Sequence, residues 1–344
     1  MTQDHQNSSK HYVQMMAIKD RVNCEAFPDG KPIGDLRDVP NSEFLPTAEE
    51  NVSMRQDIIK ITAEILCSHL DCFKDFQGII DSKFQHKYSD EMKKKSYVVP
   101  LGILPLNENK TSDMIEILKT LHKYVPGSRS EEEINCEDER DDSCAGMRTI
   151  PLGGDQLTVE RIRSAHLCRF DGDTPEERLE GVIAMVEDFH EKMNFLQVIM
   201  DRYYSTNSSR ERGTLYQLRN IINRRNVVSD VSKGYHASAD FIDLVTECHI
   251  ITAALEHLNM ESPSSECESL PENISKADSE TKKAILLQIC TAIVDKYFLN
   301  DVSQSLNKIE TGDQSTASSE DKVFNYASNF TKLGIIRKVA VKST

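Results

Sequence analysis

Residues 147–190 read MRTIPLGGDQLTVERIRSAHLCRFDGDTPEERLEGVIAMVEDFH, and this stretch decides the fold class. MRTIPLGG predicts a short strand ending in two glycines, with Asp155 directly after them. Thr158 to Arg169 then has the pattern of a helix. Thr174-Pro175-Glu176-Glu177 is a helix-start signature: Thr as cap, Pro at the first helical position, Glu at the third. Beyond Glu177 the pattern supports two structures. Leu179, Val182, Ile183, Val186, His190 and Met193 fit a helical stripe, yet Gly-Val-Ile-Ala-Met-Val at 181–186 equally suits a buried strand.

Outward from this stretch, the N-terminal side offers a short strand or extended segment at 11–22 and a helix over 47–73. Thr47 and Glu50 supply that helix with a capping box. SYVVPLGILPL at 96–106 is broken by Pro100 and Pro105, which predicts an edge strand. Thr111 to Tyr124 is amphipathic, with Ile115, Leu118 and Leu121 on one stripe. On the C-terminal side, helices are expected at about 213–224, 238–259, 283–298 and 321–334. Residues 261–282 and 310–320 have linker composition. The fold class is therefore α+β, predominantly helical.

Composition narrows the function classes. The 344 residues carry a formal charge of −15, of which EEEINCEDERDD at 131–142 contributes −7 through eight acids and one Arg. Such a block reads as a solvated loop, and the overall acidity argues against a general electrostatic grip on nucleic acid. No window approaches the roughly 18 uninterrupted apolar residues of a membrane span, and the first twenty residues lack a secretory apolar stretch. Nine Cys occur without a C-x-x-C pair, which suits reduced thiols in an intracellular protein, nuclear or cytoplasmic. No P-loop, dinucleotide fingerprint, Gly-x-Ser-x-Gly elbow or His-Glu-x-x-His occurs.

Three clusters remain as chemistry. Asp155, at the end of a strand behind two glycines, is placed to hold a metal and a phosphate ester, because glycine lets a ligand approach closely. Two-metal phosphoryl transfer needs two or three such carboxylates around ions about 3.5–4 Å apart. Taken alone, Asp155 reads more simply as the cap of the next helix. Glu187, Asp188 and His190 form a second cluster. Glu187 and His190 would be half of a di-metal helix motif, but no second Glu-x-x-His accompanies them; Asp188 and His190 can instead complete a polar cluster near Asp155, and the plainer reading is a His and acids hydrogen-bonded at the edge of the core. The third is Arg202, Arg210, Arg212, Arg219, Arg224 and Arg225, six Arg against the single acid Glu211, with Tyr203, Tyr204 and Tyr216 interleaved. Arg suits bidentate phosphate contact and Tyr can stack on bases. The plainer reading is helix-end charge that answers acids elsewhere.

The run from IPLGGDQLTVERIRSAHLCRF to MVEDFHEKMNFL, with GTLYQLRNIINRRNVV and DFIDLVTECHIITAAL, resembles a large eukaryotic family defined only as a domain of unknown function. DHQNSSKHYVQMMAIKDRV, HKYSDEMKKKSYVVPLGIL and DKVFNYASNF resemble it too. That family is similar to transposase-derived proteins with a ribonuclease-H-like core. The resemblance implies that Asp155 takes the place of the second carboxylate, at the end of the fourth strand. It makes 181–187 the fifth strand and the helices beyond it an insertion. The family's Gly-Asp-Asn segment, with the first carboxylate, would precede Met1, so the expected ribonuclease-H-like sheet is incomplete and lacks its first strand.

The expected organisation is then an N-terminal α/β part at 1–126, an acidic loop at 127–148, a family core with helical insertion at 149–260, a linker at 261–282 and a C-terminal helical segment at 283–344. The leading functional expectation is a non-catalytic transposase-derived remnant without cofactor, binding nucleic acid or a protein. Its nucleic-acid contacts would be Arg210, Arg212, Arg219, Arg224 and Arg225. The rivals are a Mg²⁺-dependent nuclease or transposase, with Asp155 as metal ligand and Glu187, Asp188 or His190 assisting, and a helical scaffold with no nucleic-acid role.

Overall fold

A computed structural model describes residues 10–22, 35–81, 83–84, 86–128, 147–299 and 319–343. In chain order its main elements are β1 (Val13–Ile18), α1 (Ala48–His69), α2 (Ser89–Met92), β2 (Val98–Leu104), α3 (Thr111–His122), β3 (Ile150–Gly154) and α4 (Gln156–Cys168). Next come β4 (Val182–Val186), α5 (Asp188–Tyr203), α6 (Leu215–Ile221), α7 (Tyr235–Leu258), α8 (Ser279–Val294) and α9 (Ser319–Ser343). The acidic block at 131–142 and the stretch at 310–318 lie outside the described residues.

The chain packs as two compact units, one from residues 1–28 and 88–191 and the other from 29–87 and 192–344. Contacts thus divide it near 28, 87 and 191, and each unit is discontinuous. The expected boundaries at 126, 148, 260 and 282 track composition instead.

In the first unit β1 and β2 pair antiparallel, from Val13 opposite Leu104 to Ile18 opposite Val98. The register shifts between Met15 and Met16, which face Gly102 and Pro100. Gly102 takes φ +112 there, a conformation L side chains rarely adopt. Pro100 has no N–H to give a neighbour, as its edge position allows. β3 and β4 pair parallel, from Ile150 opposite Val182 to Gly154 opposite Val186, with α4 as the crossover. The open choice at 181–186 is therefore settled as strand. Among the described residues the strands form two separate two-stranded sheets, where the resemblance implies a single one.

The signature at Thr174 makes one turn and no helix. Thr174 Oγ1 accepts from the Glu177 N–H at 3.2 Å, as a cap should. The turn then stops at Leu179, whose φ is +61. Leu179 and Val182 are buried with Leu118, Ile162 and Ala165. Tertiary burial and parallel pairing with β3 outweigh the local start signal here.

The second unit is helical. The α1 cap forms as the spacing predicts: Glu50 N–H donates to Thr47 Oγ1 at 3.2 Å, and Thr47 N–H to the Glu50 carboxylate at 2.7 Å. Ile58, Ile61 and Leu66 of α1 pack with Ile250 and Ala254 of α7, Leu286 and Ile293 of α8, and Ile335 of α9. Each such Ile or Leu side chain contributes about 1.5–3 kcal/mol on burial. Cross-helix ion pairs join Glu64 to Lys342, Asp243 to Arg337, and Glu247 to Lys338. Residues 261–282 do not behave as a free linker: Cys267, Leu270 and Ile274 pack on this core, and α8 begins at Ser279. α9 runs 25 residues, well beyond the expected 321–334. No helix among the described residues is long and apolar enough to cross a membrane.

Candidate functional site at a parallel strand end and an arginine surface

β3 and β4 run side by side, so their C-terminal ends lie together. The last paired residues are Gly154 and Val186. Asp155 and Glu187 come next in each strand, and the Glu187 N–H donates to the Gly154 carbonyl at 3.0 Å. Two carboxylates therefore stand at the end of a parallel pair, the edge where open α/β sheets place ligands.

Asp155 is nevertheless engaged with its surroundings. Asp155 is the cap of α4: its Oδ1 accepts from the Thr158 N–H at 2.7 Å. The Thr158 side chain and N–H hold the Asp155 carboxyl below the usual carboxylate range, partial burial opposes them, and the nearby His190 adds to the lowering. Glu187 folds back over β3, where a Cβ added to Gly153 would lie 1.9 Å from its Oε1. Gly154 is filled in the same way by Thr158, whose Cγ2 lies 2.6 Å from such a Cβ. Both glycines thus admit a neighbouring side chain of this protein.

Glu187 and Asp188 are exposed and His190 is half-buried, its ring edge-on to Phe189 at 5.8 Å. Among the described residues no three His, Cys, Asp or Glu are grouped to hold a metal ion.

The arginines lie in the second unit. Arg202, Arg210, Arg212, Arg224 and Arg225 are exposed, and Arg219 is half-buried. Among the described residues none of the six forms an ion pair with a carboxylate. Arg219 has a distinct position. It donates to the carbonyls of Val227 (3.1 Å) and Arg225 (2.8 Å) and to Asn220 Oδ1 (2.8 Å), and it lies over the Tyr216 ring at 5.4 Å. It clasps α6 to the loop at 223–227, where Asn223 takes φ +55. Sequence reasoning does not find this clasp. Its one visible signal is the i, i+3 spacing of Tyr216 and Arg219.

Tyr204 and Tyr216 meet edge-to-face at 5.4 Å, and the Tyr204 hydroxyl donates to the Val227 carbonyl at 3.1 Å. Tyr203 is buried against Tyr326 and Phe330. Of the three interleaved tyrosines, Tyr203 and Tyr204 are core residues. Only Tyr216 is part-exposed.

A family model described as a family of unknown function (DUF6589) matches residues 37–336. No curated protein and no solved structure matches the chain. The matched residues take in Asp155, Glu187 and all six arginines, together with the elements that position them, and the chain belongs to this family of unknown function.

Proposed function

We propose that this chain is a transposase-derived protein that has lost strand-transfer chemistry and retains nucleic-acid binding through its arginine surface. The observation that carries the reading is the set of exposed arginines at 202, 210, 212, 224 and 225, which have no carboxylate partner among the described residues of an acidic protein. An arginine serving only to answer acids of its own fold would be paired with them, as Arg337 is with Asp243. These guanidiniums, of which Arg225 also donates from Nε to Asn223 Oδ1 at 3.0 Å, suit phosphate oxygens. Arg219, held by three acceptors and the Tyr216 ring, fixes the loop that carries Arg224 and Arg225.

Loss of chemistry is supported by Asp155. Its capping role fixes Oδ1 on the Thr158 N–H, leaving the carboxylate poorly placed to bridge two ions. The parallel pair β3–β4, joined by a helix with an acid at each strand end, supports the ribonuclease-H-like ancestry.

A second reading, a metal-dependent nuclease, draws on the adjacency of Asp155 and Glu187. One experiment separates the two. Purified protein is incubated with labelled single- and double-stranded DNA, with Mg²⁺ or Mn²⁺. Binding without scission is expected. Scission that Asp155→Ala abolishes would overturn the proposal.

A further inference from the structure

We infer that Lys19, Arg21, Lys94, Lys95 and Tyr97 form a further binding site for single-stranded nucleic acid, carried by the first unit and not by the arginine surface. The pairing of β1 with β2 builds it. The register that sets Ile18 opposite Val98 continues one step, where the Lys19 N–H donates to the Tyr97 carbonyl at 2.9 Å. Arg21 then reaches across the end of the pair. Its Nη1 donates to the Met92 carbonyl at 2.8 Å and lies 3.4 Å from the Lys94 carbonyl. Two segments 71 positions apart thereby surround one hollow of about 490 Å³, lined by Lys19, Asp20, Arg21, Lys94, Lys95 and Tyr97.

Four cations line this hollow against the single acid Asp20, in a chain whose formal charge is −15. Among the described residues none of the four forms an ion pair, whereas the adjacent Lys93 is paired with Asp90 at 2.7 Å. Like charges gathered in a cleft without counter-ions of their own raise the local potential and attract an anion. Lys19, Lys94 and Lys95 are exposed, and the half-buried Arg21 is anchored through Nη1, which fixes the direction of its fork. Tyr97 decides which anion. It is 66% exposed on the same hollow. Cations that follow a phosphate backbone, joined by an accessible ring on which a base can stack, are the combination that binds single strands. A duplex keeps its base faces stacked inside, so Tyr97 gives preference to the single strand.

The test titrates the full chain with a fluorescent oligodeoxythymidine strand. It is compared with Lys19→Ala/Lys94→Ala/Lys95→Ala, which keeps Arg21, and with Tyr97→Ala. All four altered side chains are exposed, and circular dichroism checks that each variant is folded. The triple variant should make the log affinity–log salt slope shallower by up to about 2, at about 0.7 per lost phosphate contact. Tyr97→Ala should weaken binding about 5-fold or more with the slope unchanged, and Lys→Arg at the three positions should preserve affinity. A strand carrying 5-iododeoxyuridine should crosslink to Tyr97 on irradiation. Repeating the series in a chain with Ala at 202, 210, 212, 224 and 225 reads this site apart from the arginine surface: binding that survives there should be lost with the three lysines. Affinity and slope unchanged in the folded triple variant, crosslinks that fall only elsewhere, or binding to phosphatidylserine vesicles in place of the strand, would overturn the inference.

Discussion

The Glu187 carboxylate occupies the space that a side chain at Gly153 would fill: a Cβ there would lie 1.9 Å from Oε1 and 2.9 Å from Cδ. Glu187 is exposed, so its far end can swing into solvent. Gly153→Ala should therefore change stability by less than about 0.5 kcal/mol. Gly154→Ala meets the Cβ of Thr158 at 2.8 Å, on the first turn of α4, and should cost about 1–3 kcal/mol. Denaturant midpoints of the two variants check the contrast. Equal losses would mean that Glu187 is locked in place by something beyond its own rotamer.

Asp155 should behave as a cap. Asp155→Ala is expected to cost about 0.5–2 kcal/mol, and Asp155→Asn much less. The folded pKa is depressed, so the charged form's extra stabilisation is present above the unfolded value, about 3.9. It fades as pH falls through the lower folded value. Unfolding of wild type and Asp155→Asn, tracked from pH 7 to pH 3, should diverge least at the acid end. A loss on Asp155→Ala that appears only when Mg²⁺ is present would assign the carboxylate to a metal instead.

His249 makes one contribution to the pH dependence of the helical unit. Its Nδ1 lies 2.8 Å from Thr331 Oγ1, and burial pushes its pKa down to about 4. The unfolded chain, with a value near 6.5, binds more protons between those limits. Stability should fall as pH drops from about 6.5 to about 4, by up to roughly 3 kcal/mol. His249→Gln should flatten that slope, as read by urea unfolding at pH 7, 5.5 and 4.5.

α7 and α9 pack tightly where Gly334 meets Thr246. A Cβ at 334 would lie 2.1 Å from Thr246 Oγ1, a fully buried hydroxyl that donates to the Ile242 carbonyl at 2.7 Å. Gly334→Ala should cost about 1–3 kcal/mol. Adding Thr246→Ala should recover part of that loss, and a double-mutant cycle by denaturation measures it.

How much of this is legible in the residues varies by element. The Thr47–Glu50 box marks the start of α1 because both halves of the motif are local. The broken apolar run at 96–106 announces an edge strand through its prolines, and β2 forms there. Residues 181–186 stay open because a short apolar run fits either period, and pairing with β3 decides it. Thr174 misleads for the related reason that its cap is real but the burial of Leu179 and Val182 ends the turn. The 261–282 segment has the composition of a linker, and only the tertiary contacts of Cys267, Leu270 and Ile274 reveal its docking. At the site, the position of Asp155 beyond a strand can be read locally. The fold of Glu187 over Gly153 and the three-acceptor clasp of Arg219 depend on side-chain directions that spacing does not carry.

The central claim is that the exposed arginines grip phosphate. Its most direct test is the slope of log affinity against log salt for single- and double-stranded DNA. Wild type is compared with a variant carrying Ala at 202, 210, 212, 224 and 225, which keeps Arg219 and its clasp. The account predicts salt-dependent binding by the wild type. In the variant the slope should be shallower by about 0.9 per lost phosphate contact on duplex and about 0.7 on single strands. Wild-type binding that is absent, or a slope unchanged in a folded variant, would contradict it.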